Sequence, residues 1–472
     1  MDRRKFLQIG AALTAGAAAA GYLSGDLVKL ASAAVLPASG RSSIKEDLRV
    51  PHLLRRASFG EPPERLEAYE SMGFDRAVSS LLNYSSTPES SLPPPAIRLA
   101  YSGRTVPNEL YILADWWLQK MALTTRPLEE RMTLFWHNHF ATGYSKVLNG
   151  YLMYQQNQFL RANALGNFAD ILQGMTSDGA MLFWLDNNAN PKLAPNENFG
   201  REVLEVFTTG RGPYTEADVQ AGARIFTGYS VGDDGTGVFH PDQHDDSVKT
   251  YLGKTGDFMP QDGVEILAAR PETAANLATE LFEYFVHPNP PSEAVGRLAE
   301  VYLQSGYSVK AVVEAILTSD DFLSEAAYLA NVKSPVEYVV SSLRATRATA
   351  VPLSGAATID SQGQLLFDPP SVFGWPSGIA WIDTGSMIER FNFPVNMQTA
   401  SQDESSRFDP TPFSGGTPDS AVSSLAQALI PEGLPAAALK VIQSSSSNFE
   451  DPDMRAVNAA RLVMSTPLYN LN

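Results

Sequence analysis

Apolar residues recur three and four positions apart through most of the chain, and strict alternation is scarce, so the pattern predicts helices rather than strands. Leu110, Leu113, Trp116, Trp117 and Met121 share one face of a helix predicted over 108–122. The next begins at Pro127, a residue suited to the first helical position, with Glu129 and Glu130 at the positive end of the dipole. It carries Met132, Leu134 and Phe135 into Trp136-His137-Asn138-His139-Phe140 and stops before Gly143. Further helices are predicted over 52–60, 63–72, 74–83, 147–163, 167–175, 197–209 and onward from 215. Later ones fall over 273–286, 293–304, 309–318 and 335–350, and over 421–429, 435–443 and 453–465 near the end. There is no internal repeat. The expectation is an all-α fold: a large irregular multi-helix bundle with long loops and little or no sheet.

Turn-rich segments divide this pattern. Residues 34–47 and 401–420 read as Ser/Pro/Gly linkers around a main helical domain over 48–400, with C-terminal helices over 421–472 packed on it. Residues 1–33 read differently. Arg3-Arg4-Lys5-Phe6-Leu7 precedes a mild Ala/Gly-rich run that closes on Ala31-Ser32-Ala33, the form of a twin-arginine signal with its cleavage motif. An uncleaved anchor is the other reading, but Asp26 and Lys29 break the run short of the ~20 apolar residues a span needs. The expectation is export to the periplasm or beyond, with no stable membrane span afterwards.

Charge and cysteine usage narrow the function classes. Lys+Arg 35 against Asp+Glu 52 gives −17, which argues against a partner held by its phosphate backbone, so no nucleic acid is expected. With no cysteine in 472 residues, disulfides, thiolate catalysis and iron–sulfur chemistry are excluded. The signatures of serine hydrolases, P-loop NTPases, zincins and dinucleotide-binding folds are missing too.

Candidate chemistry gathers in 177–229. Asp186, Asn188, Asn190 and Glu197 fall at relative positions one, three, five and twelve, the spacing of a calcium loop. Pro191 stands where such a loop wants glycine. The plainer reading is a set of Asx turns with Asn196 capping a helix. A second set is His137, His139, Glu202, Glu205, His244 and Asp245, a ligand chemistry suited to zinc, iron or manganese. Residues two apart on a helix point about 200° apart. His137 and His139 therefore share a metal only if the helix frays before them; otherwise one faces the core and the other the site. The plainer reading here is a solvated acidic face with two packed histidines. Arg201, beside Glu202, is suited to clamping an anionic group.

Several phrases together resemble a bacterial family of unknown function, numbered 1800. They are His52–Gly60, Phe135–Phe140, Pro195–Phe199 with Arg201, Glu202 and Glu205, Tyr214–Glu216, His244-Asp245, Lys333–Glu337 and Gly374-Trp375-Pro376. Gly200 departs from the alanine usual there and should weaken its helix by up to ~1 kcal/mol. The resemblance implies an exported bacterial protein, often encoded beside a sulfatase-like family numbered 1501, which makes that neighbour an expected partner. It supplies no reaction. Two functions follow as expectations. One is a hydrolase-like enzyme assisted by a divalent metal, with Glu202 or Glu205 moving protons and Arg201 placing an anion. The other is a non-catalytic binding or assembly protein acting with the sulfatase-like partner.

Overall fold

The computed structural model describes residues 43–89, 91–101, 106–348, 355–399, 410, 413 and 415–472. The expected signal over 1–33, and most of the linkers over 34–47 and 401–420, lie outside the described residues. The chain opens with α1 (Glu46–Ala57), α2 (Pro63–Met72), α3 (Phe74–Leu82), α4 (Glu109–Leu123) and α5 (Pro127–His139). It continues through α6 (Tyr144–Val147), α7 (Gly150–Ala162), α8 (Phe168–Thr176), α9 (Gly179–Trp184), α10 (Glu197–Glu205) and α11 (Glu216–Ile225). Then come α12 (Pro260–Ala268), α13 (Pro271–Phe285), α14 (Ser292–Gln304), α15 (Val309–Leu317), α16 (Pro335–Ala345), α17 (Gly355–Ser361) and α18 (Thr384–Thr399). The last are α19 (Pro418–Leu429), α20 (Ala436–Ser446) and α21 (Pro452–Met464).

Sheet among the described residues amounts to two antiparallel ribbons, β1 (Tyr229–Val231) with β2 (Gly237–Phe239) and β3 (Lys249–Tyr251) with β4 (Lys254–Gly256). The fold is mostly α-helical. The ribbons occupy the Gly/Asp-rich stretch after α11, where alternation over three residues is too short to register in the sequence.

Local chemistry sets the helix starts. Thr215 and Asp218 form a reciprocal capping box on α11, and Ser334 and Glu337 do the same on α16. Asn196 caps α10 by accepting from the Asn198 N–H. That helix ends at Glu205 rather than at 209. Thr208 and Thr209 turn their hydroxyls back onto the carbonyls of Val203 and Leu204, and Gly210 follows at φ +73°. Thr209 therefore lies beyond the helix that was expected to reach it.

The apolar residues form two clusters. One surrounds Trp117, Val339, Leu343 and Phe367 and includes Val422, Leu425, Leu462 and Val463 of the C-terminal helices. The other surrounds Trp136, Phe140, Phe168, Phe199 and Leu281. Helix α5 lies between them, giving Leu134 to the first and Leu128, Met132, Phe135 and Trp136 to the second. Every residue of α5 is buried except Asn138.

Gly200 belongs to this packing. Helices α10 and α11 approach so closely that a methyl group at 200 would stand 2.6 Å from the Ala223 nitrogen and 3.0 Å from the Val219 oxygen. Backbone cannot yield as a side-chain tip can. Gly200→Ala is therefore expected to destabilise by about 1–3 kcal/mol, the reverse of its propensity gain. A urea midpoint at or above the parent's would refute this.

Candidate functional site

Because α5 stays helical through His139, its two histidines diverge. His137 points into the first cluster, with its ring 5.1 Å from Trp117, 5.2 Å from Phe367 and 5.4 Å from Trp375 between centroids. Its Nε2 accepts from the Phe367 N–H at 3.0 Å, and burial pushes its pKa down to about 3. It is a neutral core residue that fixes the 364–376 segment. His139 turns the other way. Its Nδ1 lies 2.7 Å from Glu280 Oε2 on α13, and its Nε2 lies 3.1 Å from the Phe207 carbonyl. Both ring nitrogens are engaged, so neither is open to a metal or to a substrate proton in this arrangement.

Asn138, between them, is exposed and ties two distant phrases together. Its Oδ1 accepts the Trp375 N–H at 2.8 Å, and Gly374 packs on its backbone. The turn it holds carries Phe373, Trp375 and Trp381 to the wall of a cleft of about 340 Å³. Tyr284, Glu280 and Glu283 from α13 form the facing wall, with Asn138, His139 and Asn331 between. Glu205, at the end of α10, lines a continuation that shares Val206, Glu280 and Phe373 with the cleft.

The other expected site residues distribute as follows. Glu205 accepts from Arg211 Nε and, at 3.0 Å, from the Tyr214 hydroxyl. Glu202 keeps one buried oxygen without a partner. Burial, then the neighbouring Glu205 charge, raises the pKa of Glu202. Arg201 does not face an anion site. It pairs with Glu216 at 2.6 Å and Glu197 at 3.4 Å. His244 and Asp245 do not line the cleft. His244 Nδ1 lies 3.2 Å from the Thr227 hydroxyl. Burial alone would raise Asp245, but Arg224 and Ser247 hold its carboxyl well below the usual range.

The Asn-rich corner spends its oxygens on the chain itself. Asp186 pairs with Lys146 at 2.8 Å, and Asn190 Oδ1 accepts the Asn196 N–H at 2.7 Å while its amide donates to Asn187 and Ala223. Glu197 is taken by Arg201. Asn188 is half-buried. These are turns and caps, so the loop does not wrap its side chains round a common centre. Among the described residues, no three His, Asp or Glu side chains form a group able to hold a metal ion.

A family model matches residues 52–471, nearly all of the described chain. The chain belongs to the family described as Protein of unknown function (DUF1800). No curated protein and no solved structure matches it. In this DUF1800 protein the phrases around Asn138, Glu205 and Trp375 meet at one cleft, whereas those around Arg201 and His244 do not. Glu280 and Tyr284 were missed by sequence reasoning, because nothing distinguishes them from other polar and aromatic positions of an amphipathic helix. Among the described residues no helix is long and apolar enough to cross a membrane.

Proposed function

We propose that this is an exported protein whose working site is the cleft between α5, α13 and the Gly374 turn, and that it binds a small cationic ligand there. One observation carries the reading. Arg211 of the same chain already lies at the cleft's edge, its guanidinium 5.0 Å from the Phe373 ring centroid and bonded to Glu205. The lining is rich in acceptors and aromatic groups: the Glu280 and Glu283 carboxylates, which already accept from His139, Asn276 and the Asn289 N–H and keep further lone pairs, the unpartnered Asn331 Oδ1, and the Tyr284 and Trp375 rings. Such a lining selects ammonium or guanidinium groups over anions.

The test is titration of the mature protein with an arginine ester and a polyamine, read by tryptophan fluorescence. Glu280→Gln with Phe373→Ala is expected to weaken binding at least tenfold, about 1.4 kcal/mol. Equal affinity for a neutral polyol, or an unaffected variant, overturns the proposal.

Glu202 favours a second, enzymatic reading, hydrolase-like, in which this carboxyl, its pKa raised by burial and by the Glu205 charge, acts as the proton donor. A divalent metal would need ligands that the Glu202–Glu205 pair alone does not supply. Export by the twin-arginine route to the periplasm or beyond, and action with a sulfatase-like protein of the family numbered 1501, belong to the same proposal. They rest on the Arg3-Arg4 segment and on the family resemblance. Retention in the cytoplasm on Arg3→Lys with Arg4→Lys tests the first, and co-elution of the two purified proteins tests the second.

A further inference from the structure

Next to the cleft lies a second space of about 40 Å³, walled in part by Arg55 of α1, Arg131 of α5, Lys333 and Glu337 beside and within α16, and Tyr469. It exceeds the ~10–15 Å³ that admits a single water and is far too small for an organic ligand. Its side-chain charges do not balance. Arg131 pairs with Glu337 and Arg55 with Glu432, while buried Arg56 and Arg390 stand behind them on carbonyl and amide oxygens. Glu61, also on the wall, is taken by Arg344 at 2.6 Å. Lys333 has no carboxylate in contact. Its Nζ, on a residue only 4% exposed, meets Ser341 Oγ at 3.1 Å and the face of Tyr469 at 3.8 Å from the centroid. Arg131 Nε is buried with no partner at all, on a residue 1% exposed.

We infer that this space is a binding site for a small monovalent anion of about the size of chloride, held by Lys333 Nζ with the Arg55 and Arg131 side chains on the surrounding wall. The anion supplies the counter-charge that Lys333 lacks. Burial with Arg55 nearby pushes the amine of Lys333 well down, and a bound anion favours its protonated form. Because the site shares Glu337 with the cleft wall, it locks α1, α5 and α16 together next to the ligand-binding face.

Bromide is the probe. Crystals of the wild-type protein soaked in sodium bromide should show an anomalous peak between Lys333 and Arg131. In solution, bromide or chloride should raise the thermal midpoint saturably by roughly 2–5 °C over sodium gluconate at equal ionic strength. Lys333→Met, which keeps the apolar stem, should fold, lose the peak and lose the halide dependence. A cavity holding only water, or halide peaks elsewhere alone, overturns the inference. So does a midpoint that follows ionic strength regardless of the anion, for then a lost Lys333 proton or a carboxylate of the chain balances the charge.

Discussion

Glu337→Gln is expected to cost about 3–5 kcal/mol of unfolding free energy, because it strips the counter-charge from a buried guanidinium. Arg131 is 1% exposed, its Nη1 bonds Glu337 Oε1, and its guanidinium lies over Tyr284 and Phe59. Glutamine keeps an oxygen for the Ser334 N–H, which Glu337 Oε2 accepts at 2.7 Å, so α16 retains its cap; its NH2 then faces the Arg131 and Asn472 donors that Oε1 accepts, so the loss combines the charge with those hydrogen bonds. Denaturant unfolding should show a lower midpoint with an unchanged slope. A change under 1 kcal/mol would mean that the pair is solvated. Replacing both partners, Arg131→Met with Glu337→Leu, should recover most of the loss.

The same pair sets an acid limit. Burial alone would raise the Glu337 pKa, but Arg131 beside it and the Ser334 N–H hold it below the ordinary range. A carboxyl depressed in the folded state contributes stability that is present above its unfolded pKa, near 4.3. That contribution disappears as pH falls through the lower folded value. The parent should therefore lose stability steeply below about pH 4.3, and Glu337→Gln should lose less over that interval.

Helix existence was legible in the sequence because a 3.6-residue apolar period has one cheap solution, and the caps at Asn196, Thr215 and Ser334 follow from local bonding. The divergence of His137 and His139 followed from helix geometry once α5 was known to reach 139. What failed depended on partners distant in the chain. Gly200 reads as a weak point by propensity and proves to be a contact surface, since Ala223 and Val219 come from another helix. The grouping of His244 with Glu202 assumed that neighbouring loops meet, whereas His244 docks on Thr227. Asn138 attracted no notice between its histidines, yet it holds a segment more than two hundred residues away. Sequence spacing carries no information about such a pairing.

That pairing makes Gly374 the most exacting position of the site. Gly374→Ala is expected to cost about 3 kcal/mol: roughly 1–2 for a left-handed alanine and the remainder for overpacking. The residue sits at φ +73°, and a methyl group there would press on Asn138 Oδ1 and stand 2.6 Å from the Asn138 backbone oxygen. The turn cannot slide away cheaply, because the next residue donates its N–H to that same Oδ1 and packs its indole on His137. Cleft binding should therefore fall with stability, since Phe373 and Trp375 move together. Asn138→Ala separates the two contributions. It removes the Oδ1 acceptor but leaves the backbone oxygen, so it should cost about 1–3 kcal/mol for the orphaned Trp375 N–H and should not rescue Gly374→Ala when combined with it. Wild-type stability and wild-type tryptophan emission in Gly374→Ala would show that the turn rests loosely on α5, and the cleft would then have no fixed aromatic wall.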